Sequence, residues 1–338
     1  MIKLNRRQAM LGGGALLAAP AILKFGPAQA AEFSYKYSSD LKSDHPTVLR
    51  MSEAAEQIRK DTGGKLDIQV FPDSQLGSTT STLSQLRDGS LEFLTYSPVV
   101  FSAVVPVTAI SGIGFAFPDY ATVWKAMDGD LGGHVRKEIA KTGIVVMEKC
   151  WDQGFRQITS STRPIVTPAD LKGFKIRVPI SPLWTSMFEA LHAAPISLNV
   201  AEIYSSLQTK IAEGWECPLI AHYLFKSYEV QKHLSLTNHM WDGLWMLANK
   251  GAWDALPANI REVAATHINA ASLKQRDDIE KQSVQMLANL EAKGMVSHKV
   301  DTDAFRAELR KAGFFTSWKK RLGDDAWATL EKYCGNIS

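Results

Sequence analysis

Lys172-Gly173-Phe174-Lys175-Ile176-Arg177-Val178-Pro179 reads as a short strand between two chain-breaking residues, and it carries a single guanidinium. Strand side chains alternate, so Ile176 and Val178 share one face while Arg177 takes the other. A guanidinium on a short apolar strand is costly to desolvate unless an anion meets it. Its planar fork suits a carboxylate held at two points. Alone, such a run reads more readily as a surface or salt-bridged arginine, and the rest of the chain decides.

On either side of that strand, strands and helices alternate. Phe33 to Ser38 reads as a strand, Thr47 to Asp61 as a helix stopped by Gly63-Gly64, and Leu66 to Val70 as a strand. A helix over Thr80 to Arg87 and strands at Leu91 to Tyr96 and Ile144 to Trp151 follow, and this succession predicts a mostly parallel sheet. Thr167-Pro168-Ala169-Asp170 and Asn199-Val200-Ala201-Glu202 have helix-start patterns, and Pro182 to Leu191 has helical periodicity. Pro257 to about Lys293 is one long amphipathic pattern without internal Pro or Gly, long enough to brace two domains.

The first 30 residues read as an export signal. Lys3, Arg6 and Arg7 precede a Gly/Ala/Leu-rich run from Met10 to Leu23 that is too short for a stable membrane span, and Ala28-Gln29-Ala30 offers a cleavage site. Arg6-Arg7 fits twin-arginine export, with ordinary Sec export as the alternative. Loss of Lys3, Arg6, Arg7 and Lys24 takes the formal charge from +3 to −1. A near-neutral mature chain without a basic block gives no support for nucleic-acid binding. Cys150, Cys217 and Cys334 are widely spaced, and no Cys or His pair has metal-ligand spacing, so neither metal nor cofactor is expected. No nucleophile elbow, metalloprotease helix, phosphate loop or dinucleotide fingerprint marks an exported enzyme, the first alternative function.

An ordered set of segments carries a family resemblance. It runs from Thr62-Gly63-Gly64-Lys65-Leu66 through Pro72-Asp73-Ser74-Gln75-Leu76-Gly77 to Leu86-Arg87-Asp88-Gly89-Ser90-Leu91. Gly154-Phe155-Arg156-Gln157 then precedes the Arg177 segment. Glu202-Ile203-Tyr204-Ser205-Ser206-Leu207-Gln208-Thr209, Gly214-Trp215-Glu216-Cys217-Pro218-Leu219 and Tyr228-Glu229-Val230-Gln231-Lys232-His233-Leu234 complete it. Across essentially the whole mature chain this resembles the substrate-binding proteins of tripartite ATP-independent periplasmic (TRAP) transporters.

The resemblance implies an α/β, two-domain periplasmic binding protein-like fold, with an interdomain cleft and a long helix spanning both domains. Domain I would comprise residues 31–154 plus 243–282, and domain II residues 155–242 plus 283–338. The function it implies is capture of an organic acid anion in the periplasm and delivery to the membrane subunits of the transporter, by a monomer. A ligand sensor for a membrane receptor kinase is a further alternative.

By resemblance, Arg177 holds the ligand carboxylate and Arg156 supports it, with a structural salt bridge as the other reading of Arg156. Cys217 stands where many relatives have asparagine. Ser97, Asp40 and Thr79 fall at polar contacts of the sialic acid-binding members without reproducing their pattern, and His45 matches a loop at the cleft edge. Tyr96, Trp151, Trp215 and Trp241 flank the matched segments, and Trp184 opens the helix after Arg177. Each tryptophan reads as core or contact. Together they predict a monocarboxylate with an aromatic or branched apolar side group, with sugar acids and dicarboxylates as rivals.

Overall fold

The computed structural model describes residues 31–337. Eleven strands form one continuous sheet among them: β1 Phe33–Ser38, β2 Leu66–Phe71, β3 Phe93–Tyr96, β4 Ile144–Val146, β5 Trp151–Ser160, β6 Lys175–Val178, β7 Ala194–Ser197, β8 Gly214–Pro218, β9 His233–Leu236, β10 Trp241–Asn249 and β11 Val296–Lys299. Along the main path the order is β2-β1-β3-β10-β5-β8-β6-β7. At one end β1 pairs in parallel with β2 and β3; at the other β6 pairs in parallel with β7 and β8.

The expectation of a mostly parallel sheet holds only at these ends. The long strands β5 and β10 are antiparallel to each other, and β10 is also antiparallel to β3 and β4, as β5 is to β8 and β9. Parallel neighbours need a crossover helix between them. Strand β10 follows β9 after only a short loop and returns to the first half of the chain directly.

Local sequence explains the helix ends. The helix Pro46–Asp61 starts with proline in its first turn, and His45 Nδ1 accepts from the Thr47 amide at 3.2 Å. Ser78 caps Thr79–Asp88, which stops at Gly89 with φ +88°. The long helix runs from Ala258 to Ala292, 35 residues, or about 52 Å at 1.5 Å per residue. Its first half lays Ile260, Ala264 and Ile268 into a core shared with Met51, Ile58, Leu66 and Trp151. Farther along it packs against β5 and the helix Leu219–Leu224. A second, larger core gathers Leu94, Phe101, Ile176, Trp184, Phe188 and Trp241. The C-terminal helix Asp324–Cys334 packs on Tyr120–Met127 and Asp130–Ala140, while Thr302–Lys311 reaches Pro182–Ala190.

Strands β5 and β10 are irregular where they meet. Gly154, opposite Asp242, has φ +106°, and the register shifts between Asp242 and Gly243. Next to this seam Asp152 is fully buried. Its Oδ1 accepts from the Gly154 amide and Trp241 Nε1, both at 2.8 Å, while Oδ2 has no hydrogen-bond partner. Burial pushes its carboxyl up to about 7.

Two outcomes follow for stability. A Cβ at Gly214 would lie 2.0 Å from the Thr159 carbonyl oxygen and 2.7 Å from the Phe174 ring, so Gly214→Ala should cost about 3 kcal/mol or more in urea denaturation. Asp152, with a folded pKa above its unfolded value, is destabilising once ionised, so its cost grows from about pH 4 to pH 7. Asp152→Asn should therefore gain about 2–4 kcal/mol over the natural protein at pH 8 relative to pH 4.5, in paired denaturation curves.

Candidate functional site

The sheet's central strands and the loops at their ends enclose a cavity of about 770 Å³, counting the part open to solvent. Asp40, His45, Thr79, Tyr96 and Ser97 line one side. Arg156, Arg177, Trp184, Trp215, Cys217 and Phe225 line the other, with Asp242 and Leu244 of β10 between.

Arg177 lies on β6 beside Trp215 of β8 and Ile196 of β7. Hydrophobic neighbours on both strands explain why this short segment is a strand, and they leave the guanidinium 2% exposed. Its Nε and Nη2 both donate to the Leu198 carbonyl, at 3.1 and 2.6 Å. No carboxylate among the described residues lies within ion-pair distance of it. Burial presses its pKa down to about 10, which leaves it charged at neutral pH.

Arg156, on β5, is in a different state. Its Nε and Nη2 grip the Glu216 carboxylate in a two-point pair, with Nη2–Oε1 at 2.7 Å, and its Nη1 donates to Asp242 Oδ2 at 2.7 Å. The guanidinium lies over the Trp184 ring, 4.9 Å from its centre. Ser97 donates to Asp242 at 2.9 Å, and His239 Nε2 contacts Glu216 at 3.1 Å. All the charges in this cluster are buried. Burial alone would raise the Glu216 pKa, but Arg156 and His239 outweigh it and hold the carboxyl down at about 2. At Asp242 burial wins and pushes the pKa up to about 6.

The remaining expected residues divide. Thr79 Oγ1 donates to Asp40 Oδ2 at 2.7 Å. Tyr96 packs edge-on against Phe101 in the cavity wall. Trp215 presents its ring to His222 and Phe225 and donates its Nε1 hydrogen to Ser227 at 3.0 Å. Cys217 is a free, buried thiol, pushed up to about 12 by burial. His45 lines the cavity as the helix cap described above, and burial holds its pKa down near 3, so it is neutral.

Trp151 and Trp241 do not line the cavity. Trp151 is fully buried in the core under the long helix. Trp241 is anchored on Asp152 and packs edge-on against Phe117 and Trp124. Both stand on the two central strands, where an indole removes most apolar area by facing a helix layer.

Sequence reasoning passed over Glu216, Asp242 and His239. Glu216 had a signal, a carboxylate between two expected contacts on one strand. Asp242 and His239 had none, because only pairing between distant strands brings them to Arg156. Trp184 lies in the cavity wall with its Nε1 unpartnered, fully buried.

Comparison with known proteins agrees with this architecture. The chain is 30% identical over 283 residues to the 2,3-diketo-L-gulonate-binding periplasmic protein YiaO of Escherichia coli, covering 83% of this chain and 85% of that protein. It is 31% identical over 254 residues to the C4-dicarboxylate-binding periplasmic protein DctP of Rhodobacter capsulatus, with 75% and 74% covered. A TRAP periplasmic solute-binding protein from Sulfurospirillum deleyianum, crystallised with succinate, superposes with a TM-score of 0.85 at 26% identity, over 90% of this chain and 99% of that one. Residues 37–313 match the family model of the bacterial extracellular solute-binding proteins, family 7, and the chain belongs to that family, whose members bind solutes for transporters and are not enzymes.

Proposed function

We propose that this protein captures a monocarboxylate with an aromatic or branched apolar side group, holding the carboxylate on Arg177, and delivers it to the membrane subunits of a TRAP transporter. The observation that carries this reading is the sealed Arg177 fork, charged and turned to the cavity with only one carbonyl to satisfy it. The apolar side group is supported by the wall: Tyr96, Trp184, Trp215, Phe225, Val200 and Ile203. Relatives named for a diketo sugar acid or a C4-dicarboxylate bind more polar acids. Arg156 is a positioning residue in this reading, since Glu216 and Asp242 already occupy its donors.

The protein works as a periplasmic monomer, with residues 1–30 as the export signal; these lie outside the described residues. The domain limits proposed from the sequence, 154/155 and 242/243, coincide with the seam of Gly154 and the register shift at Gly243. A hinge there would let residues 31–154 plus 243–282 close on the remainder.

Arg177→Ala should weaken binding of the best acid from a thermal-shift screen of arylalkanoates about 100-fold or more by calorimetry, the worth of two charge-assisted hydrogen bonds; near-normal affinity would contradict the assignment. Arg156→Ala should lose about 3–5 kcal/mol of unfolding free energy by stranding Glu216 and Asp242. In the screen itself, stabilisation by polyhydroxylated acids alone would refute the apolar side group.

A further inference from the structure

The charges around the cavity do not add up to a site for a simple anion. Four charged side chains line it: Asp40, Arg156, Arg177 and Asp242. Arg156 and Asp242 are bound to each other, with Glu216 on the far side of the same guanidinium. What a ligand meets is therefore one cation, Arg177, and one anion, Asp40.

Asp40 follows β1 in sequence, so it comes from the wall opposite β6. It is partly buried, and its Oδ2 accepts from Thr79. No cation among the described residues is within ion-pair distance of it. The nearest basic residue in sequence, Lys42, pairs with Asp73 at 3.1 Å and lies over the Phe225 ring of the cavity wall. His45, the other basic neighbour, is neutral. Arg177 acts on Asp40 only through space and not through a hydrogen bond.

A carboxylate settling on Arg177 neutralises the charge that Asp40 faces. Asp40 is then left as a solitary anion in a closing, water-poor site, which is costly. A second carboxylate on the ligand would make this worse. A protonated amine removes the cost, since it supplies the missing cation and a hydrogen-bond donor together.

Resting on the reading of Arg177 as the carboxylate anchor, we infer that the ligand is a zwitterion, with a protonated amine that Asp40 accepts and an apolar body between its two charged ends. Asp40 and Arg177 then form two poles of one recognition device. Burial raises the Asp40 pKa, which works in the same direction by resisting a lone negative charge.

The test uses two matched series with the mature protein. One is phenylalanine, 3-phenylpropanoate and phenylsuccinate; the other is 4-(aminomethyl)benzoate, 4-methylbenzoate and terephthalate. In at least one series the amino compound should bind about tenfold or more tightly than its amine-free parent, with the dicarboxylate weakest. Asp40→Asn keeps an acceptor for Thr79 and should erase the preference for the amine. Arg177→Ala should weaken both the amino compound and the parent acid. In both series, a parent acid or dicarboxylate that binds as tightly as the amino compound overturns this inference, as does an amine preference that survives Asp40→Asn. Either result leaves the Arg177 anchor standing if Arg177→Ala still abolishes binding of the parent acid. Undiminished binding in Arg177→Ala sinks the anchor itself. If neither series binds and a sugar acid does, the zwitterion and the apolar side group both fall.

Discussion

The buried ion cluster of Arg156, Glu216 and Asp242 constrains everything around it. Its members stand on β5, β8 and β10, three neighbours in the sheet, so the charges can meet only in one strand register. A slip by one residue would turn each side chain to the opposite face and strand charges in an apolar interior. The cluster also sets the electrostatics of the cavity. Arg156 has its donors taken up by two carboxylates, whereas Arg177 donates to the Leu198 carbonyl and pairs with no carboxylate among the described residues.

The long helix ties this rigid centre to the first half of the chain. Gln275 donates to Thr47 and to the Asp152 carbonyl and accepts from the Asp152 amide, and Arg276 joins the Cys150 carbonyl to Asp128. These bonds sit beside Gly154 and the register shift at Gly243, the two places where the central strands depart from regular geometry. Ion cluster and irregular backbone thus lie side by side on the two central strands.

Much of this was legible locally. The helix beginning at Pro46, the strand at Phe33, the stop at Gly89 and the 35-residue helix are written in caps, glycines and periodicity, which act over a few residues. Sheet direction was not, because the pairing of β10 with β3 and β5 joins residues about ninety or more positions apart. The tryptophans show the same limit. Trp215 and Trp184 reach the cavity while Trp151 and Trp241 turn into the core, although all four stand beside the motifs that carry the resemblance. An indole satisfies either environment, so only the packing of remote helices decides. Glu216 is the sharper lesson. A carboxylate on a strand of buried residues demands a cation, and Arg156 was the available candidate.

In the proposed reading, the hydroxyls of the cavity wall would disfavour a sugar acid. Thr79 donates its hydrogen to Asp40 and Ser97 donates to Asp242, while Thr95 shares a hydrogen bond with Tyr37 at 2.5 Å. Each hydroxyl that a polyol buried here would need a partner, and leaving one unmet costs about 1–3 kcal/mol. Three such groups would cancel much of what the Arg177 pair supplies, about 1.5–3 kcal/mol per charge-assisted hydrogen bond. Apolar carbon buried against the same wall gains about 25 cal/mol per Å² instead. Selectivity in this reading therefore comes from the balance between a largely apolar wall and the few polar groups, Trp184 Nε1 among them, that remain open to a guest.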